Sequence, residues 1–378
     1  MKSRKTAIVG KKVLRLVFLL IISAVSLYLL NRLEILNLEL FRSAFRGGGS
    51  FPLLIVFLLL LISLLGGLKF HSVLKLFSLT PKLPDVISAN LLSQAVGQWA
   101  PGSLAVTEII RFGLILGIGA DPGKKYSNDN RAELKGLLGL SILLDRLIGL
   151  GAMFILSGTV AIYLLMQKHT LIRLPALLAV LAGAALGLGC LLLLGPLLTR
   201  SRIYRKYFLS QMFPRETEKM GRLRPKGQKA LRSHIAATFR FIGKALSDAS
   251  AQPGRLMDSW GLSLAIATLN PLTLYLAALA VGRRLPLSAI LVAVPFTILA
   301  ILLPLGFAGY GGPQVIAVGA FGLFHVDLET VVAACLVQNT IVVASYTLFG
   351  ILNAGLVLKK LRGIFKQNKI TKEIRRSS

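Results

Sequence analysis

The chain has 378 residues, 54% of them hydrophobic, with a mean hydropathy of +0.72 and its apolar residues gathered in long blocks. That excludes an ordinary soluble domain and predicts an all-α polytopic membrane protein. The formal net charge is +29, from 44 Lys and Arg against 15 Asp and Glu. These bases lie in loops and tails between the apolar blocks, so anionic membrane lipids are the expected partner and nucleic acid is not.

In chain order, Lys2, Arg4, Lys5, Lys11, Lys12 and Arg15 surround the start of an apolar run, Val13 to Leu30. The run is too long for a secretory leader, and Asn31-Arg32-Leu33-Glu34 is no small-residue cleavage site, so it reads as an uncleaved first span. Five further spans are predicted over 51–68, 136–157, 174–195, 259–281 and 329–354, which makes about six full transmembrane helices. Two more apolar regions, 86–118 and 286–323, are too interrupted for single helices. Gln94, Gln98, Pro101, Gly102, Ser103, Thr107 and Glu108 break the first. Pro304 and the run Gly309-Tyr310-Gly311-Gly312-Pro313-Gln314 break the second. Each reads as two half-helices of about 15 Å, half the hydrocarbon thickness, joined at a Pro/Gly turn.

Charge bias decides how these broken regions run. The loop 199–258 carries fourteen Lys and Arg, and the tail 358–378 carries Lys359, Lys360, Arg362, Lys366, Lys369, Lys372, Arg375 and Arg376. Both belong in the cytoplasm with the N-terminus. Six full spans meet that condition when each interrupted region returns to its side of entry, as a re-entrant helical hairpin. The result is a transmembrane domain over 1–357 with two inverted repeats, 51–166 and 259–354, separated by the basic loop 199–258 and followed by the tail. Transporters place substrate sites where such broken helices meet. Within the loop, Leu231, Ile235, Phe239, Ile242 and Leu246 recur at helical spacing among bases, as in a helix lying on an anionic leaflet or docked on the protein's own face.

Ionisable residues at membrane depth are the candidate site, because charge there is uncommon and usually functional. Glu108 and Arg111 share one helix face. They either line a polar cavity, with Arg111 holding a lipid phosphate, or form an internal ion pair that fixes the hairpin. Asp145 is positioned to pair with Arg111 across helices and Arg146 with Glu108, in a charge-neutral group of four. The alternative for Arg146 is to snorkel to the surface. Asn90, Gln94 and Gln98 repeat every four residues as one polar stripe, for headgroup hydroxyls or for interhelical hydrogen bonds. Gly309 and Gly311 offer backbone N–H groups to an anion, or else permit tight helix contact, and Gln314 follows them. Pro101, Gly102, Pro304, Gly312 and Pro313 are the candidate hinges. Gln338 and Asn339 lie in the last span, where they would reach the same cavity.

At these residues the chain resembles the family of the lysylphosphatidylglycerol synthase transmembrane region, a flippase-like group of integral membrane proteins. The resemblance rests on Pro101-Gly102 leading to Glu108-Ile109-Ile110-Arg111, on Asp145-Arg146 in the next span, and on Pro304 followed by Gly309-Tyr310-Gly311-Gly312-Pro313-Gln314. Thr107 stands where the family's Gly precedes the Glu, and Gln314 replaces its late Glu. The resemblance implies a multi-pass protein of a bacterial or archaeal inner membrane that moves a phospholipid or lipid-linked headgroup between leaflets through a midplane polar cavity. The alternative is a membrane enzyme or accessory subunit in lipid-linked glycan or aminoacyl-lipid synthesis, partnered by a glycosyltransferase or lipid synthase. His71, His169, His234 and His325 have no metal-ligand spacing, Cys190 and Cys335 lie in apolar runs, and no nucleotide-binding or hydrolase motif occurs. No cofactor and no metal are therefore expected, and an enzyme is the less favoured reading. Small-residue spacing such as Gly183 to Gly187 permits close helix contacts, within the chain or in a homo-oligomer.

Overall fold

A computed structural model describes residues 37–100, 103–119, 128–166, 251–302 and 306–377, with a few single positions between 24 and 32. Nine helices and one small hairpin fall in these stretches. They are α1 (Leu38–Arg46), α2 (Phe51–Leu76), α3 (Leu83–Gln98), α4 (Ser103–Gly119), α5 (Asn128–Met166) and α6 (Pro253–Ala280). After them come α7 (Leu287–Leu302), β1 (Gly306–Phe307), β2 (Tyr310–Gly311), α8 (Gly312–Gly322) and α9 (Leu328–Ser377).

Among the described residues, four stretches are long and apolar enough to cross a bilayer, Phe51–Leu76, Leu134–Leu164, Pro253–Ala280 and Leu328–Gly355. They correspond to four of the six expected spans, so the chain is a multi-pass helical membrane protein. The expected span 13–30 except for a few positions, the span 174–195, the amphipathic segment 226–246 and the hinges Pro101, Gly102 and Pro304 lie outside the described residues. Helix boundaries differ from expectation in several places, and α5 starts eight residues before 136 and ends nine past 157. α2 runs eight residues past 68, because Lys69, His71 and Lys75 are accommodated within the helix rather than ending it. α6 begins at Pro253, where Pro is suited to a first turn, so the end of the basic loop is helical. α9 continues without a break through the basic tail.

α2 and α6 run antiparallel. At one end Gln252 and Arg255 donate to the carbonyls of Leu76 and Lys75, at 3.4 and 3.1 Å. At the other, a Cβ on Gly48 would stand 3.2 Å from the Ala280 carbonyl oxygen. Each interrupted region is a pair of helices in mutual contact. Phe70 and Leu74 of α2 cluster with Val86 and Ala89 at the start of α3, Ile115 late in α4 and Leu138 early in α5. The pair α3–α4 therefore begins and finishes at the Lys75 end of α2. The α6–α7 and α8–α9 connections line one cleft, so the pair α7–α8 begins and finishes at the opposite end of the molecule. α3 and α4, of 16 and 17 residues, are about 24–26 Å long, and α7 and α8 are no longer.

Small residues let these helices approach. A Cβ on Gly67 would stand 2.8 Å from the Ile87 side chain, joining α2 to α3, and one on Gly350 would overlap Ala95, joining α9 to α3. Lipid tails are as apolar as leucine, so van der Waals fit of this kind supplies much of the association energy in a bilayer. The largest apolar core, with Ile55, Leu274, Ile290, Phe321 and Val337, lies between α2, α6, α7, α8 and α9.

Candidate functional site

A buried ionic cluster forms where α2, α3, α4 and α5 meet. Arg111 sits on the buried face of α4 with its side chain 2% exposed. Its Nη2 stands 3.1 Å from Asp145 Oδ2 of α5 and 2.5 Å from Glu108 Oε2, one turn earlier in its own helix. Arg146, the next residue after Asp145, points to another side of α5 and pairs with Glu108 Oε1. The structure thus brings together all four ionisable residues that the sequence picks out, in the expected pairing. Lys69 of α2 adds a fifth: its Nζ lies 3.0 Å from Asp145 Oδ1 and donates to the Asp145 carbonyl at 3.1 Å.

Lys69 changes the electrostatics. Three cations and two carboxylates leave one excess positive charge in place of the expected neutral group. Desolvating ions is expensive, and mutual attraction offsets the cost only where the geometry also satisfies the remaining donors and acceptors. Much of that is met here. The Phe70 ring lies 4.0 Å beneath the Arg111 guanidinium as a cation–π partner. The Asn90 side-chain oxygen is 3.5 Å from Arg111 Nη1, while its amide donates to the Ser63 carbonyl at 3.1 Å. Gly149 leaves the room that Lys69 occupies, since a Cβ there would stand 3.2 Å from Nζ. The Nε–H groups of Arg111 and Arg146, both buried, find no acceptor among the described residues.

The cluster has a closed and an open side. The side chains of Lys69, Arg111 and Asp145 are 9%, 2% and 2% exposed, against 14% for Glu108 and 34% for Arg146. Lys69 lies seven residues before the end of α2, about 10 Å along the axis, so the cluster sits on the Lys75 side of that helix's midpoint. Sequence reasoning missed Lys69 because it follows the apolar run 51–68, where a lysine usually marks a span's end. The available signal was Gly66-Gly67 just before it, which suits close helix contact rather than a lipid-exposed helix end.

Other candidate residues have local partners. Gln94 accepts from Ser63 at 3.2 Å, while Gln98 is half-buried without a hydrogen bond among the described residues. Trp99 is half-exposed and its Nε1 donates to Thr347 of α9 at 3.0 Å. Thr107 packs on Gly97, whose Cβ would overlap its hydroxyl, and it donates to the Ser103 carbonyl at 2.7 Å.

The second interrupted region has a different chemistry. β1 and β2 form a tight hairpin with Gly306 opposite Gly311 and Phe307 opposite Tyr310. Its two central residues, Ala308 and Gly309, have φ of 50° and 78°, the left-handed geometry of a two-residue hairpin turn. Gln314, 1% exposed, locks it: Oε1 accepts from the Gly311 N–H at 2.7 Å and Nε2 donates to the Gly309 carbonyl at 3.2 Å. Asn339 of α9 donates to the Ala308 carbonyl at 3.0 Å. Gln338 donates to Thr273 at 2.6 Å, beside Pro271 within α6. The Gly311 N–H is therefore already bonded inside the protein. Gly312 and Pro313 form the first turn of α8, as suits Pro.

Among the described residues no group of three or more His, Cys, Asp or Glu is placed to hold a metal. What the cluster can do is present guanidinium and ammonium groups to an anion within an apolar surround. Comparison with known families supplies the wider setting. The family described as the lysylphosphatidylglycerol synthase TM region matches residues 12–350. No curated protein and no solved structure matches the chain. The chain belongs to that family, as its motifs suggest.

Proposed function

From membership of this membrane-domain family, we propose that the chain carries a phospholipid or lipid-linked headgroup between leaflets. The α3–α4 and α7–α8 pairs act as re-entrant hairpins entering from opposite faces of the bilayer. The headgroup's phosphate approaches Arg146 and Glu108 on the open side of the cluster and is held by guanidinium donors, while the acyl tails stay in lipid. The observation that carries this reading is the five-residue ionic cluster itself, with its formal excess of one positive charge and two guanidinium N–H groups without acceptors among the described residues. A purely structural ion pair needs neither feature. Two further facts support the reading, the antiparallel run of α2 and α6 and the same-end return of each helical pair, as the inverted arrangement used by transporters requires.

The cluster's position, on the Lys75 side of the midpoint of α2, fits a headgroup met on that side and passed onward. Reconstituting the full chain in liposomes with a leaflet-reporting phospholipid tests the reading. Faster exchange than in protein-free vesicles, slowed about tenfold or more by Arg146→Gln as a lost charge-assisted contact implies, is expected. Exchange no faster than in empty vesicles across the common phospholipids would refute it.

A further inference from the structure

At the end of the molecule away from Lys75, the α6–α7 and α8–α9 connections enclose a cleft lined by Arg283, Arg284, Leu285, His325, Asp327 and Thr330 among others. We propose that this cleft binds the phosphodiester of an anionic lipid in the leaflet at that end, as a standing ligand rather than as the lipid being moved.

Arg283 and Arg284 are exposed, and neither side chain takes part in an ion pair or hydrogen bond among the described residues. The nearby carboxylates are engaged. Asp327 accepts from the Glu329 N–H at 3.2 Å and from the Thr330 hydroxyl, which caps α9. Glu329 accepts from Asn37 at 3.3 Å. Two guanidinium groups and the exposed His325 therefore face the cleft without an ion pair among the described residues, and the Asp327 and Glu329 carboxylates are turned to neutral donors instead.

The arginines are also held in place by their backbone. The Arg283 N–H donates to the Ala278 carbonyl at 3.1 Å and that of Gly282 to Leu279 at 2.9 Å, with Gly282 at a φ of 78°. This closes the end of α6 and aims the doublet outward, while Leu285 is buried beneath it.

Depth identifies the ligand. α6 has 28 residues, about 42 Å, close to the 40–45 Å of a bilayer with its headgroups. Its first residues join the basic loop, so Arg283 and Arg284 stand at headgroup level on the opposite face. A basic doublet there runs against the usual confinement of bases to one side of the membrane. Beside it docks α1, whose exposed Arg42 and Arg46 add positive charge and whose exposed Leu38 and Phe45 add apolar surface. Leu287, next to the cleft, is also exposed. Guanidinium groups with apolar surface at their margin suit a phosphodiester attached to acyl chains better than a free phosphate.

The test uses the full chain in phosphatidylcholine nanodiscs with increasing phosphatidylglycerol. Lipid retained on extraction is counted by native mass spectrometry, and inorganic phosphate is titrated in a parallel arm. The double variant Arg283→Gln/Arg284→Gln removes only exposed, unbonded groups, so its melting temperature should match wild type. Lys82→Gln, at the other end, is the control. We expect the double variant to weaken phosphatidylglycerol retention about 30-fold, as two bases at an anionic surface imply, with the control unchanged and inorganic phosphate bound far more weakly. Equal retention by the double variant overturns the proposal, and inorganic phosphate bound as tightly as the lipid reassigns the cleft to a free anion and overturns it too. Neither outcome bears on translocation, which this assay does not measure.

Discussion

Arg111 holds two carboxylates at once, and this determines how its substitution must be read. Removing it leaves Asp145 with Lys69 and Glu108 with Arg146, each pair buried to a different degree. Breaking a buried network in this way costs about 3–5 kcal/mol, so Arg111→Ala is expected to lower stability in detergent as well as any transport. Lys69→Met should behave differently. It removes the excess charge and keeps Asp145 paired to Arg111, so its loss should be under half that of Arg111→Ala. Thermal unfolding of the two purified variants checks the ranking, and a Lys69→Met loss equal to or above that of Arg111→Ala contradicts it. Arg111 and Asp145 were legible in the sequence because each interrupts an apolar run in which a charge has no solvent. Lys69 was not, because hydropathy cannot distinguish a lysine at a span's end from one whose helix continues two turns further. The group appears neutral in the sequence only while Lys69 is left out of it.

Among the elements, the two broken regions differ in what holds them. α3 and α4 are tied by Asn90 against Arg111 and by Gly97 under Thr107, whereas the turn between α7 and α8 is tied by amides. Gly309 has both a positive φ and no room for a Cβ, which would stand 2.5 Å from Asn339 Oδ1. Gly309→Val is therefore expected to cost at least the 1–3 kcal/mol of a strained backbone position. Gln314→Leu should be comparably disruptive, since it strips the Gly311 N–H and the Gly309 carbonyl of their partner. Thermal melts of both variants test this, and wild-type stability in either would remove the amide lock. The position of each break was readable from Pro and Gly, which punctuate a helix wherever they fall. The strand pairing was not, since Ala308-Gly309 lacks the usual Asn-Gly signature of a two-residue turn. The anion-binding use considered for the Gly311 N–H also required knowing where the Gln314 side chain turns, which spacing alone does not tell.

At the scale of the whole molecule, opposed helical pairs follow from α2 and α6 running antiparallel and from each pair returning to its own end. Cysteines placed in the connections after α2 and after α6 should label from opposite faces of the bilayer, and those at the two ends of one pair from the same face. Labelling of residues 82 and 119 from opposite faces would mean that α3–α4 crosses straight through. The expectation of this arrangement came from the bias of bases between loops, which constrains sidedness as helix periodicity does not, and the labelling decides it. The account rests most heavily on the claim that the cluster handles an anionic headgroup rather than only bracing the fold. Arg111→Lys tests it most directly, because it keeps the charge but loses the planar fork that grips a phosphate. In proteoliposomes matched for folded protein, the account predicts leaflet exchange at least tenfold slower than wild type with most of the thermal stability retained. Wild-type exchange in that variant would contradict it.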